Sequence, residues 1–258
     1  MKHALTTAFW IGWYGFLEAL RSRLLLGILL LLLPLTASAW LLDVYRIGFQ
    51  VKVVKDLGMN LASLFGLMIV LFLSFEQILP DIERRTIYFI LTRYNDRRSY
   101  LLGRFLGVAG TLAFFHALMG LGLLLLLRWH DGAWFWEVPV GSLVLFLKQS
   151  VVVAVILLLA IVTTRIVVLS LTVLVYVLGH GLDVGRMLLD KHQVPALSWL
   201  LEAVALVLPD FTLFEMRMAV VHDAPIQAGA VALLSAYTAL LCLFYLAAGA
   251  FLLSRRDL

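Results

Sequence analysis

"GSLVLFLKQSVVVAVILLLAIVT", Gly141 to Thr163, is a run of 23 residues with a single formal charge. Coiled as a helix at about 1.5 Å per residue it reaches about 35 Å, enough to cross a hydrocarbon core of about 30 Å. Its apolar residues are continuous and do not alternate with polar ones, so it reads as a membrane-crossing helix and not as a barrel strand. The rest of the chain agrees with that reading. Of 258 residues 63% are hydrophobic and only 14% charged, with a mean hydropathy of +1.02, far above that of a soluble domain.

Working outward, apolar runs predict six transmembrane helices: Leu24 to Leu42, Leu57 to Phe75, Tyr100 to Leu127, Gly141 to Thr163, Ile166 to Leu182 and Ala228 to Leu253. An even number places both termini on one side. With the termini inside, the cytoplasmic segments hold 12 lysines and arginines and the outer segments 7, so the termini are expected to be cytoplasmic. The net charge of +4 is thereby a topology signal and implies no nucleic-acid partner. "Ala37-Ser38-Ala39" resembles a signal-peptidase site, but the long aromatic segment before it is unlike a short basic leader, so the first run is expected to stay as a span. No internal repeat is visible, and residues 1–258 read as a single all-α integral membrane domain.

Two segments do not fit the span pattern. In residues 1–23, Leu5, Phe9, Trp13, Phe16, Leu17 and Leu20 recur at three- and four-residue spacing while Glu18 falls opposite, which predicts an amphipathic helix lying in the interface. Residues 183–227 are too polar to span and too apolar for a plain loop, and predict one or two helices that re-enter or lie on the outer leaflet, broken at Pro209.

Ionisable groups within spans are costly and draw attention first. His116 lies deep in the third span, either lining a path or hydrogen-bonded to a neighbouring helix; Lys148 is expected to snorkel toward the outer interface, and His180 to be interfacial. Gly103 and Gly107, four residues apart, are spaced for close helix contact. The lone Cys242 has no disulfide partner, and no metal site, catalytic motif or carboxylate pair is apparent. The phosphate-cradling pattern GxxxxGK[ST] is absent, so this chain is not expected to be an enzyme or to carry a cofactor.

The charge collects between Glu76 and Arg104, "EQILPDIERRTIYFILTRYNDRRSYLLGR", which holds six arginines. Pro80 suits a first helical turn with Asp81 beside its positive end, and at about 100° per residue Asp81, Arg84, Arg85 and Tyr88 share one face. Such basic loops commonly do no more than fix topology and touch anionic lipid. The order of residues adds to that. "DIERRTIYFILTR...RRSYLLGRFLG" resembles the signature of the membrane subunits of type 2 (ABC-2) ATP-binding-cassette exporters. Glu83, Arg84, Arg85, Thr86, Ile87 and Tyr88 stand at its core, Leu91, Thr92 and Arg93 follow, Arg97 holds the arginine position, and Gly103 with Arg104 the Gly-Lys position. Tyr94 departs from the usual proline. "VVKDLGMNLASLFG", "LPDFTLFEMR" and "SRRDL" are similar to further segments of a bacterial subgroup.

The resemblance implies a half-transporter of the bacterial cytoplasmic membrane. It would pair with a second permease subunit and with two copies of an ABC ATP-binding subunit that bind the ATP and Mg. Residues 76–100 would be the coupling segment, with Asp81, Glu83, Arg84, Arg85, Thr86, Tyr88, Arg93 and Arg97 at the ATPase contact, and residues 1–23 the connector helix. The alternative is a non-transporting subunit that transmits force to a periplasmic partner. The cargo is open, because nearly uniform aliphatic spans select none.

Overall fold

The computed structural model describes residues 2–22, 50–80, 97–192 and 208–255, together with Trp199, Glu202 and Ala205. Every regular element among them is helical. In chain order these are α1 (Lys2–Arg21), α2 (Gln50–Leu73), α3 (Arg97–Asp131), α4 (Glu137–Val162), α5 (Arg165–His192), the short α6 (Arg217–Val221) and α7 (Ala228–Arg255). A π turn, Ser74–Ile78, and a 3-10 turn, Thr212–Phe214, complete the set.

Five helical stretches are long and apolar enough to cross a membrane: Val51–Ile78, Arg98–Trp129, Glu137–Val162, Arg165–Leu188 and Ala228–Arg255. The protein is a multi-span, all-helical integral membrane protein. The expectation of six spans with both termini cytoplasmic is corrected to five among the described residues. The remaining predicted run, Leu24 to Leu42, lies outside them, and the five described spans do not place the termini in the cytoplasm.

The gaps between helices follow from local chemistry. Gly132 adopts a left-handed conformation (φ 75°) and its N–H bonds the Arg128 carbonyl at 3.1 Å, which closes α3 with the residue that pays least for that geometry. Thr163 turns extended after α4, and only Thr163 and Thr164 separate α4 from α5. α2 runs on through its π turn, where Leu79 N–H bonds the Ser74 carbonyl five residues back, and remains helical to Pro80. Pro80 is thus the last described residue of a helical stretch; the helix predicted to begin there falls on residues outside the described ones.

α4 is the axis of the bundle. Its apolar window is 78% enclosed, against 22% for α5 and 28% for α7, and α2, α3, α5 and α7 all pack on it. At one end of the bundle Arg98 lies in a groove with Phe251 and Ser254 of α7, and Arg165 donates to the Phe75 carbonyl at 3.2 Å. This is the arginine end. The opposite, cap end is closed by residues 208–227. Phe211, Phe214 and Val220 are buried there, Lys55 pairs with Asp223, Arg217 with Asp56 at 3.6 Å, and Arg186 with Asp210 at 3.0 Å. The predicted outer segment thus divides: residues 183–192 extend α5, while 208–227 form a folded cap.

α1 docks along the first half of α3. Ala8 and Ile11 meet Gly103, Gly12 meets Gly103 and Gly107, Gly15 meets Gly107, and Phe16 meets Gly110 and Phe114. Both helices advance together through this contact, so they run in the same direction. The buried face is small, with Ala8, Gly12, Gly15 and Ala19, whereas Phe9, Trp10, Trp13 and Tyr14 are exposed. Of the predicted apolar stripe, Phe16 touches α3 while Phe9 and Trp13 stay exposed. Without a hydrophobic drive between helices in a membrane, small residues that let backbones approach make the contact.

Candidate functional site

A chain of polar side chains crosses the core of the bundle, joining α3, α4, α2 and α5. Its centre is Gln149 on α4, fully buried. Gln149 Nε2 donates to the Ser63 carbonyl of α2 at 3.1 Å, and Gln149 Oε1 lies 2.8 Å from His116 Nε2 on α3. A backbone carbonyl can only accept, which fixes the amide orientation and makes His116 Nε2 the donor. The same assignment leaves His116 Nδ1 as a buried acceptor with no partner. Seven residues earlier, two turns along the same face of α4, Ser142 Oγ donates to the His116 carbonyl at 2.7 Å.

Gly66 makes room for this junction. A Cβ at Gly66 would collide with the Gln149 carboxamide, so the absence of a side chain lets the amide lie across α2. Replacement of Gly66 by valine is expected to expel the amide and lower the thermal midpoint, at a cost of about 1–3 kcal/mol. Adding Gln149→Leu to that variant is expected to cost almost nothing further, since the bonds are already broken. Additive losses in a double-mutant cycle of melting midpoints would contradict this geometry.

Lys148, the residue before Gln149 on α4, turns inward and is 3% exposed. Its ammonium lies 3.5 Å from Ser63 Oγ, 3.4 Å from His180 Nε2 and 5.6 Å from the Tyr176 ring centre. His180 Nδ1 bonds the Tyr176 carbonyl at 2.8 Å, so Nδ1 carries the proton and Nε2 presents a lone pair to the lysine. Phe211 of the cap stacks on the His180 ring at 5.4 Å. In place of the expected snorkelling, the Lys148 ammonium lies inside the bundle, facing acceptors on α2 and α5. Beside it is a cavity of about 110 Å³ lined by Met59, Asn60, Ser63, Leu145, Glu215 and Arg217, among others.

His116 and His180 therefore belong to separate branches, one through Gln149 and one through Lys148, and do not share a reacting centre. A second, apolar groove of about 320 Å³ lies between α3 and α4 with His116 in its lining. Cys242, buried on α7, has its Sγ 3.7 Å from the Ser150 carbonyl. Among the described residues no group of three or more His, Cys, Asp or Glu side chains could hold a metal ion.

The sequence-predicted coupling residues Asp81, Glu83, Arg84, Arg85, Thr86, Tyr88 and Arg93 lie outside the described residues, and Arg97 is the first residue of α3. Gly103 and Gly107 face α1, as described above. Ser63, Gly66 and Gln149 do not stand out by type in the sequence. The one visible signal is that Gln149 follows Lys148 inside an otherwise apolar run. A scan of protein-family models and a search of curated proteins return no match to this chain.

Proposed function

We propose that this protein is the permease subunit of an ABC-2 type exporter of a bacterial cytoplasmic membrane, coupling ATP hydrolysis by a separate subunit to movement of a substrate. The observation that carries this reading is the order of residues from Glu83 to Arg104. It is supported by where that segment lies in the chain: it follows Pro80, on the helical stretch that continues α2, and leads to Arg97, the first residue of α3, at the arginine end. A partner that grips the segment would load α2 and α3 together, and α1 through its glycine contact with α3. Arginine suits such a grip because its planar fork pairs bidentately with carboxylates and stacks on flat groups.

Affinity purification of the protein from its native membranes is expected to bring down an ATP-binding subunit. Glu83→Arg, or Arg84→Glu with Arg85→Glu, is expected to cut that recovery at least about tenfold, the scale of a lost interfacial charge pair, while membrane insertion stays the same. Undiminished recovery in the charge-reversed variants would remove the docking role. Absence of any ATP-binding subunit from the wild-type preparation would remove the class.

A further inference from the structure

We propose that the cavity beside Lys148 is a binding site for a singly charged oxyanion, a carboxylate or phosphate group, admitted from the cap end. The protein shows by its own example how it neutralises a buried lysine. Lys55 is fully buried, but its ammonium pairs with Asp223 and sits 3.9 Å from the centre of the Phe135 ring. Lys148, nearly as buried, has no carboxylate within ion-pair distance among the described residues. Its two acceptors are neutral, and both lie beyond the usual 2.7–3.2 Å range of such bonds. A buried ammonium so poorly served attracts an anion.

The space next to it is the right size and carries the right groups. A cavity of about 110 Å³ exceeds what one water needs and fits a small head group. Ser63 offers a hydroxyl. Asn60 accepts from Arg217 at 2.6 Å through its Oδ1, which leaves its amide N–H₂ as the donor for a ligand. Arg217 adds a guanidinium on the lining, part-neutralised by Asp56. Glu215, an exposed carboxylate on the lining, limits the charge the site accepts and favours a monoanion over a dianion.

The test uses the full chain in nanodiscs of phosphatidylcholine, either titrated with inorganic phosphate or prepared with increasing phosphatidylglycerol. The thermal midpoint is read with and without each probe, so that a variant's own stability cancels. A saturable rise is expected with one of them. If phosphate raises it, the site takes a free ion; if only phosphatidylglycerol does, the site takes a lipid head group. Lys148→Gln is expected to abolish the rise, and Glu215→Gln to lower the half-saturating concentration by roughly threefold, as removal of a part-screened like charge would. No saturable rise with either probe in the wild type would overturn the proposal, leaving a cavity that holds only water. So would an equal rise in Lys148→Gln. Should that variant fail to accumulate, an unchanged half-saturation in Glu215→Gln decides against the site.

Discussion

Gly103→Leu is expected to lower the thermal midpoint of the purified protein by roughly 6–12 °C and to expose α1 to proteolysis. A Cβ at this position would stand 2.7 Å from Ile11 Cβ and 2.9 Å from the Ala8 carbonyl oxygen. Neither obstacle is the free end of a flexible side chain, so the helices must separate. Separation also strains the neighbouring contact, where a Cβ on Gly107 would lie 3.0 Å from the Gly12 carbonyl and one on Gly12 3.0 Å from that of Gly103. Overpacking of this kind costs about 3 kcal/mol at the upper end of its usual range. At about 2–4 °C per kcal/mol for a chain near this size, the midpoint shift follows. Gly122 lies on the same helix, and a Cβ there meets nothing within 4 Å. Gly122→Leu is thus the control, with an expected shift near zero. Equal melting of the two variants would show that α1 does not dock on α3 through these glycines.

The second large effect is expected at the cap. Asp223→Asn keeps a side chain suited to the left-handed backbone of this position (φ 53°) but removes the charge facing Lys55. The ammonium stays fully buried but now faces a neutral amide oxygen and the Phe135 ring, with the counter-charge gone. Breaking one side of a fully buried pair costs about 3–5 kcal/mol; the Asp223 side chain is 47% exposed, so solvent screens the pair and about 2 kcal/mol is the expected loss. Lys55→Met in the Asp223→Asn background is expected to recover most of it, because the unpaired charge disappears. A double variant that melts as low as, or lower than, Asp223→Asn alone would show that the pair does not carry this energy. The cap rests on α2 and α4 near Lys148, so loosening it is also expected to increase solvent access to the stacked His180 and Phe211 rings.

The helices were legible for a plain reason. The predicted limits of the third span, Tyr100 to Leu127, lie within α3, and those of the fourth, Gly141 to Thr163, differ from α4 by a few residues. The outer segment was less legible. Residues 183–192 carry on the helical period of α5, and only their polarity suggested a break.

The face by which α1 docks on α3 was not legible, for an instructive reason. Periodicity arguments equate the apolar stripe with the buried one, which holds where water is the alternative environment. Against another helix at membrane level the contest is for close approach, and Ala8, Gly12, Gly15 and Ala19 win it while Trp10, Trp13 and Tyr14 stay outside. Lys148 shows the same gap. Its position within an apolar run predicted snorkelling to the outer interface, whereas its place is set by Ser63 and His180, which are 85 and 32 residues away.

By itself, then, the sequence determined that the protein is helical and crosses a membrane, because a bilayer demands long continuous apolar runs whose backbone bonds close within each helix. It also displayed the ordered residues from Glu83 to Arg104 on which the functional proposal stands. Only the tertiary structure decided which helices are neighbours. That choice makes Gly66 a notch for Gln149, sets Gly12 against Gly103 and Gly107, and brings Lys148 to a cavity beside Asn60 and Arg217. Hydropathy is a property of each residue in turn, whereas a hydrogen bond, a close approach or a cavity exists only between residues that the fold has brought together.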